Sequence, residues 1–281
     1  MMTVLFVSEL FAQDLSQSKA NIDSTNFYIF SEAGGQYIPS IKFNDFSASG
    51  SLIISEPGFE YSYSGTAKYS NLIVNPSIGY NFILGFGYQI NPNLGIELEV
   101  GYSQNSLGNM SYTVNTSGSG AGTVLGLPFS GTASGSGTGS ASGSGSLTYI
   151  PVLINLSIQE KSSTFQPLAS VGFGACPTIL KINNANLSYS ESGTISAEVG
   201  GIAFNETYSG VISAFGDVGS QTTAIPFAFK LKAGFDYSLN RYTSFGLRAW
   251  AMGLANSDFG NDLQSDLYGA IGLNASLKIQ F

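Results

Sequence analysis

Apolar residues alternate with small or polar ones over long stretches of this chain, and no apolar run between Phe27 and Phe281 reaches the roughly 18 residues that a membrane-spanning helix needs. Leu94, Ile96, Leu98, Val100 and Tyr102 alternate with Gly95, Glu97, Glu99, Gly101 and Ser103. Ile225 to Tyr237 repeats the pattern, with Lys230, Lys232 and Asp236 on the second face, and Ile78 to Tyr88 repeats it with an aromatic first face. At the far end Leu273, Ala275, Leu277, Ile279 and Phe281 alternate with Asn274, Ser276, Lys278 and Gln280. A period of two places one set of side chains on each face of a strand. Strands with one apolar and one polar face, in a chain that is 43% hydrophobic and only 10% charged, fit a barrel with lipid outside and a polar lumen inside.

Weaker alternation over Phe27 to Ile41, Leu147 to Ile158, Phe165 to Lys181 and Thr243 to Leu254 brings the expected total to about eight strands. The connections sort by length. Short links fall at Asn91-Pro92-Asn93, Glu160 to Thr164 and Asn240-Arg241, and long ones at Phe43 to Asn75, Leu107 to Ser146, Ile182 to Thr223 and Ala255 to Ser265. Short periplasmic turns and long extracellular loops alternate in this way in outer-membrane barrels, whereas a soluble sandwich has no reason to sort its loops by parity. The fold expected is therefore all-β, a transmembrane antiparallel barrel of about eight strands with both termini on the periplasmic side. Residues 26–281 form its single domain. Residues 1–12 read as the remnant of a secretory signal ending at Ala12, and 13–25 as a short periplasmic segment.

Two long connections carry distinct expectations. Thr116 to Ser146 is mostly Gly and Ser, with no charge between Glu99 and Glu160, and is expected to be a mobile loop because it has little apolar surface to bury. Tyr189, Ile195, Val199, Ile202, Phe204, Tyr208 and Val211 are spaced so that Ile182 to Thr223 can extend its hairpin beyond the membrane.

Composition excludes several functions. A net charge of −8 argues against binding nucleic acid, which relies on clustered Lys and Arg. The absence of histidine removes the commonest general base and rules out a Ser–His–Asp site, so no catalysis is expected. Cys176 is the one cysteine; it permits no internal disulfide and no cysteine-based zinc site, and reads as a small buried side chain. Asp258, Asp262 and Asp266 lack the spacing of a calcium loop and read as a solvated acidic loop, so neither a metal nor a cofactor is expected.

The lumen is where charge gathers. Glu97, Glu99, Lys230, Lys232, Arg248 and Lys278 all fall on the inward face, since a Lys or Arg facing lipid costs roughly 2 to 4 kcal/mol at the midplane. A barrel of eight strands is only wide enough to be filled by side chains, so these charges are expected to pair and plug it; an ion path through them is the alternative. The terminal alternation of Leu277, Ile279 and Phe281, ending the chain on an aromatic ring, is characteristic of outer-membrane barrels and reads as the signal for the barrel assembly machinery.

Several segments resemble the rickettsial major surface antigen family and, more loosely, OmpA-like eight-stranded outer-membrane barrels. Phe27, Tyr28, Gly35, Tyr37, Pro39, Ser40, Phe43 and Phe46 are similar to that family's first strand and the start of its first loop. Glu97, Glu99, Gly101 and Tyr102 resemble its acidic third strand, and Phe229 to Leu239 its sixth. The likeness covers most strands and little of the loops. It implies a bacterial outer-membrane protein with surface-exposed loops, set among outer-membrane lipids, with a surface antigen or adhesin-like role toward a host or environmental surface ligand. It also implies, as an alternative, a narrow or oligomeric porin passing small solutes.

Overall fold

The alternating segments close into a cylinder. The computed structural model describes residues 26–56, 59–124, 126–160, 164–216, 220–255, 257–260, 264–265 and 267–281; the expected signal remnant and periplasmic segment, and Asp262 and Asp266, lie outside them. In chain order the strands are β1 (Phe27–Tyr37), β2 (Ile41–Lys42), β3 (Phe46–Glu56), β4 (Phe59–Pro76), β5 (Gly79–Asn91) and β6 (Leu94–Val124). They continue as β7 (Leu127–Tyr149), β8 (Val152–Gln159), β9 (Phe165–Ala175), β10 (Thr178–Val199), β11 (Ile202–Gly216) and β12 (Ser220–Ala224). The last are β13 (Phe227–Ser238), β14 (Thr243–Ala255), β15 (Ser257–Asp258), β16 (Gln264–Ser265) and β17 (Tyr268–Gln280).

Eight of these form the barrel, in the ring order β1-β5-β6-β8-β9-β13-β14-β17, every step antiparallel. The first and last strands close it, with Tyr28 opposite Gln280. Closure leaves the ring no free edge, which is the condition for a sheet to sit in hydrocarbon. Outward side chains such as Phe82, Leu84, Ile96, Leu98, Ile154, Leu231 and Leu273 are exposed all round, giving the apolar belt of a barrel that crosses a bilayer. No helix among the described residues is long and apolar enough to cross a membrane.

Asparagine side chains hold two of the short turns. Asn91 Oδ1 accepts from the backbone N–H of Asn93 at 2.9 Å and of Leu94 at 2.8 Å. Asn240 Oδ1 accepts from Tyr242 and Thr243 in the same way, at 2.8 and 2.9 Å. These are Asx turns, where a side-chain carbonyl stands in for a backbone acceptor.

At the opposite rim, prolines end the spanning segments. A proline has no N–H to give to a ladder, and Pro151, Pro177 and Pro226 stand where a spanning strand gives way to the chain above it. Their carbonyls still accept, from Gly101 N at 2.8 Å, Ile150 N at 2.9 Å and Cys176 N at 3.0 Å, so the break in each strand is bridged by its neighbour. This corrects the expected continuous strands at Leu147 to Ile158, Phe165 to Lys181 and Ile225 to Tyr237, each of which is interrupted at its proline.

Above the rim three of the four long connections form long strands, while the described residues of Ala255 to Ser265 hold only the short pair β15–β16. Those three pair in the order β3-β4-β6-β7-β10-β11 as a six-stranded antiparallel sheet standing on one side of the barrel. The expected hairpin extension of Ile182 to Thr223 is present as β10 and β11, which turn through Gly200 (φ 58°) and Gly201 (φ 88°), left-handed positions that glycine occupies without strain. The expectation of a mobile Thr116 to Ser146 fails: Ser130 to Tyr149 of β7 is laddered to β10 on one side, and most of β7 to β6 on the other. Backbone hydrogen bonds to two neighbours order this tract, where side-chain burial alone would not.

Candidate functional site

Alternation aims the second face of each barrel strand into the lumen, and the residues there form layers. Charges occupy the inner and middle levels. Four carboxylates (Glu32, Glu97, Glu99, Asp236) and four cations (Lys230, Lys232, Arg248, Lys278) are buried there, so the described lumen charges balance. Lys232 Nζ donates to Glu32 Oε1 at 2.7 Å and to Glu99 Oε2 at 2.9 Å, while Lys230 pairs with the other oxygen of Glu99. Arg248 bridges Asp236 at 2.5 Å and Glu32 at 3.4 Å. Neutral donors add to these contacts. Asn155 Nδ2 reaches Glu99 at 3.2 Å, Asn274 Nδ2 reaches Glu32 at 3.3 Å, and the Tyr28 hydroxyl donates to Glu97 at 2.8 Å. At the inner mouth Gln159 joins Asp236, 2.8 Å away, to Lys278, 2.7 Å away. Buried charges persist where they are paired and hydrogen-bonded in this manner.

Glycines make room for what fills the space between them. A Cβ on Gly85 would lie 2.1 Å from the Phe30 ring, and one on Gly87 2.1 Å from the Tyr28 ring. Both rings therefore lie flat on the lumen wall, where Lys232 stands 5.1 Å above Phe30 and Lys278 4.0 Å above Tyr28. These are cation–π contacts that steady ammonium groups already engaged with acceptors.

Outward of the charges the lumen turns apolar. Trp250, Met252 and Leu254 of β14 pack with Leu147, Tyr149, Leu153, Cys176, Ala228 and Tyr268, and Ile38, Ile41, Phe43 and Phe259 cover them from the connections above. Burial pushes the Cys176 thiol up to about 12 and holds the Tyr149 hydroxyl well above the tyrosine range. Charged side chains and an apolar cluster thus fill successive levels of the lumen.

The sheet above the rim has two unlike faces. One continues the inner wall of the barrel, where Phe46, Tyr69 and Tyr112 form a chain with ring centroids 4.9 and 5.9 Å apart, and the Tyr112 ring lies against Gly139. The other face carries hydroxyls in cross-strand rows. Ser49, Thr66, Ser117, Ser134, Thr194 and Thr207 stand side by side across all six strands, with Ser49 and Thr66 oxygens 3.4 Å apart and Ser134 and Thr194 oxygens 3.3 Å apart. The next row is Ser51, Ser64, Ser119, Thr132, Ser196 and Asn205. A shallow hollow of about 740 Å³ opens on this row, with Glu198 at its side.

All six lumen charges expected from the alternation point inward and are brought within one network. Two further charges complete the set: Asp236, on the polar face that the alternation already gives its strand, and Glu32, which the sequence pattern does not reveal. Its strand offers Phe27, Tyr28, Ile29 and Phe30 in succession, so aromatic side chains on both faces mask the period that would have aimed it inward. Leu277, Ile279 and Phe281 lie on the outward face at the inner end of β17, and the Phe281 N–H donates to the Phe27 carbonyl at 3.0 Å. Asp258 stands apart, accepting from Gly260 N at 2.8 Å within its own turn.

No protein-family model matches the chain, and no curated protein matches it. Among solved structures it is similar to neisserial surface protein A, with 10% identity over 92% of this chain and 99% of that one and a TM-score of 0.39. It is also similar to the outer-membrane protein OprG of Pseudomonas aeruginosa, with 13% identity over 92% and 97% and a TM-score of 0.34. The outer-membrane protease OmpT of Escherichia coli matches at 9% identity over 94% and 99%, with a TM-score of 0.31.

Proposed function

We propose that this chain is a bacterial outer-membrane surface protein in which a sealed eight-stranded barrel anchors an extracellular six-stranded sheet, and that the sheet is the part that meets other molecules. The observation that carries the reading is the contrast between a lumen holding four carboxylates and four cations, three of each joined in ion pairs, beneath an apolar plug, and a sheet that leaves two rows of hydroxyls in solvent. A path for solute needs open, weakly held sites along the axis; this lumen has six of its charges in ion pairs, with Glu97 held by the Tyr28 hydroxyl and Lys278 by Gln159. The role is one of structure and interaction, without catalysis. Outer-membrane lipids surround the belt, the assembly machinery inserts the barrel, and a host or environmental surface ligand meets the sheet.

Single-channel recording from refolded protein in planar bilayers tests it. Silence is the expected result. Discrete conductance steps that change in Lys230→Gln or Glu97→Gln would replace this reading with a narrow porin, and steps that appear only at high protein density would replace it with an oligomeric one.

A further inference from the structure

We infer that the sheet above the barrel is an assembly surface, and that its partner is a second copy of this chain in the same membrane, β3 of one copy adding edge-on to β11 of the next; this rests on the sheet standing outside the membrane. Among the described residues β3 ladders only with β4, and β11 only with β10, so strands of 11 and 15 residues each leave one edge of backbone N–H and C=O groups unpaired. Edges of this length template further strands unless something blocks them, and the usual blocks are Lys, Pro or a bulge. Neither β3 nor β11 contains a Lys, Arg or Pro, and neither shows a register shift against its partner; each carries one carboxylate, Glu56 at the last position of β3 and Glu206 within β11 on the face opposite the hydroxyl rows.

The direction of the strands selects the pairing. Five antiparallel steps separate β3 from β11, so β3 runs away from the barrel and β11 runs toward it. Copies in one membrane share one orientation. When two stand side by side, β3 of one meets β11 of the other antiparallel, whereas β3 meeting β3 is forced into the parallel, less stable arrangement. The contact joins two different patches, so it is heterologous and builds rows of copies rather than closed pairs. Side chains on the hydroxyl face raise no obstacle. Ser47, Ser49 and Ser51 on one edge and Asn205, Thr207 and Ser209 on the other are small and uncharged, and extend the hydroxyl rows into the neighbour.

The test uses one introduced cysteine per variant of the full chain, whose own Cys176 is fully buried, at Ser47, Ser49 or Ser51 and at Asn205, Thr207 or Ser209, refolded into vesicles and oxidised with copper phenanthroline. Mixtures of a β3 and a β11 cysteine variant are expected to give disulfide dimers at one register, the double variant a ladder of higher oligomers, and each variant alone none. Gly50→Pro, or Ser49→Lys combined with Thr207→Lys, is expected to abolish the products while the heat-shifted gel mobility of the folded barrel is retained. Dimers from one variant alone, an internal disulfide in the double variant without a ladder, or no product at any register would each overturn the pairing. Labelling Ser49→Cys on whole cells with a membrane-impermeant maleimide separately tests the surface location: absence of label overturns that location whatever the vesicles show.

Discussion

The ammonium of Lys232 lies 2.7 Å from the Glu32 carboxylate although 200 positions separate the two residues, and this pair ties β13 to β1 across the lumen. Both side chains are buried, and Glu32 also holds Arg248 and Asn274. Lys232→Met leaves two buried carboxylates short of a cation and is expected to lower stability by about 3 to 5 kcal/mol. Adding Glu32→Leu removes one of them, so the double variant should lose less than the sum of the single losses. Guanidinium titrations of the folded band on unboiled gels check this. Strict additivity would show that the pair is uncoupled.

Glycine at position 87 lets the Tyr28 ring lie on the wall, and a Cβ there would sit 2.1 Å from that ring. Gly87→Val should displace the ring, break its bond to Glu97 and lift it from Lys278, with an overpacking cost of about 1 to 3 kcal/mol. Gly87→Val combined with Tyr28→Ala should recover part of the loss. A Gly87→Val barrel as stable as the parent would mean that the ring has room to move.

The barrel was legible in the sequence because lipid and lumen impose opposite demands on successive residues, and β5, β6, β13 and β17 write those demands plainly. Lys230, Lys232 and Glu99 could be aimed inward by the same logic, although which carboxylate meets which cation depends on register around the ring and is not a local property. Glu32 was hidden because Tyr28 and Phe30 are aromatic residues packed inside the lumen, where the pattern leads one to expect polar ones. The Gly/Ser tract was misread for a different reason. Ser134 and Gly135 bury almost nothing of their own, and their order comes from ladder partners on β6 and β10 that composition does not reveal.

Cys176 sits between β9 and β10 within the apolar plug, fully buried, with a thiol pushed up to about 12 by burial. The thiolate is the reactive form, so a thiol reagent at pH 8 should leave the folded protein unlabelled and label it rapidly in guanidinium. Leu254→Ala, which thins the plug, should speed labelling of the folded state. Prompt modification of the parent would show that the outer mouth opens.

We propose that Phe281 matters more to assembly than to stability. Its backbone N–H bonds to Phe27 at the seam where β1 meets β17, yet its ring is exposed beside Ile279 and Leu277 on the outward face. Deleting it costs the fold one hydrogen bond at a strand end, worth about 0.5 to 1.5 kcal/mol, so the purified variant should refold in detergent nearly as well as the parent. If the terminal aromatic is what the assembly machinery reads, cells should nonetheless show a strong loss of folded protein in the outer membrane, and Phe281→Tyr should restore it. Equal surface levels with and without Phe281 would remove it from that role, and failure of the deletion variant to refold would reassign it to closure of the barrel.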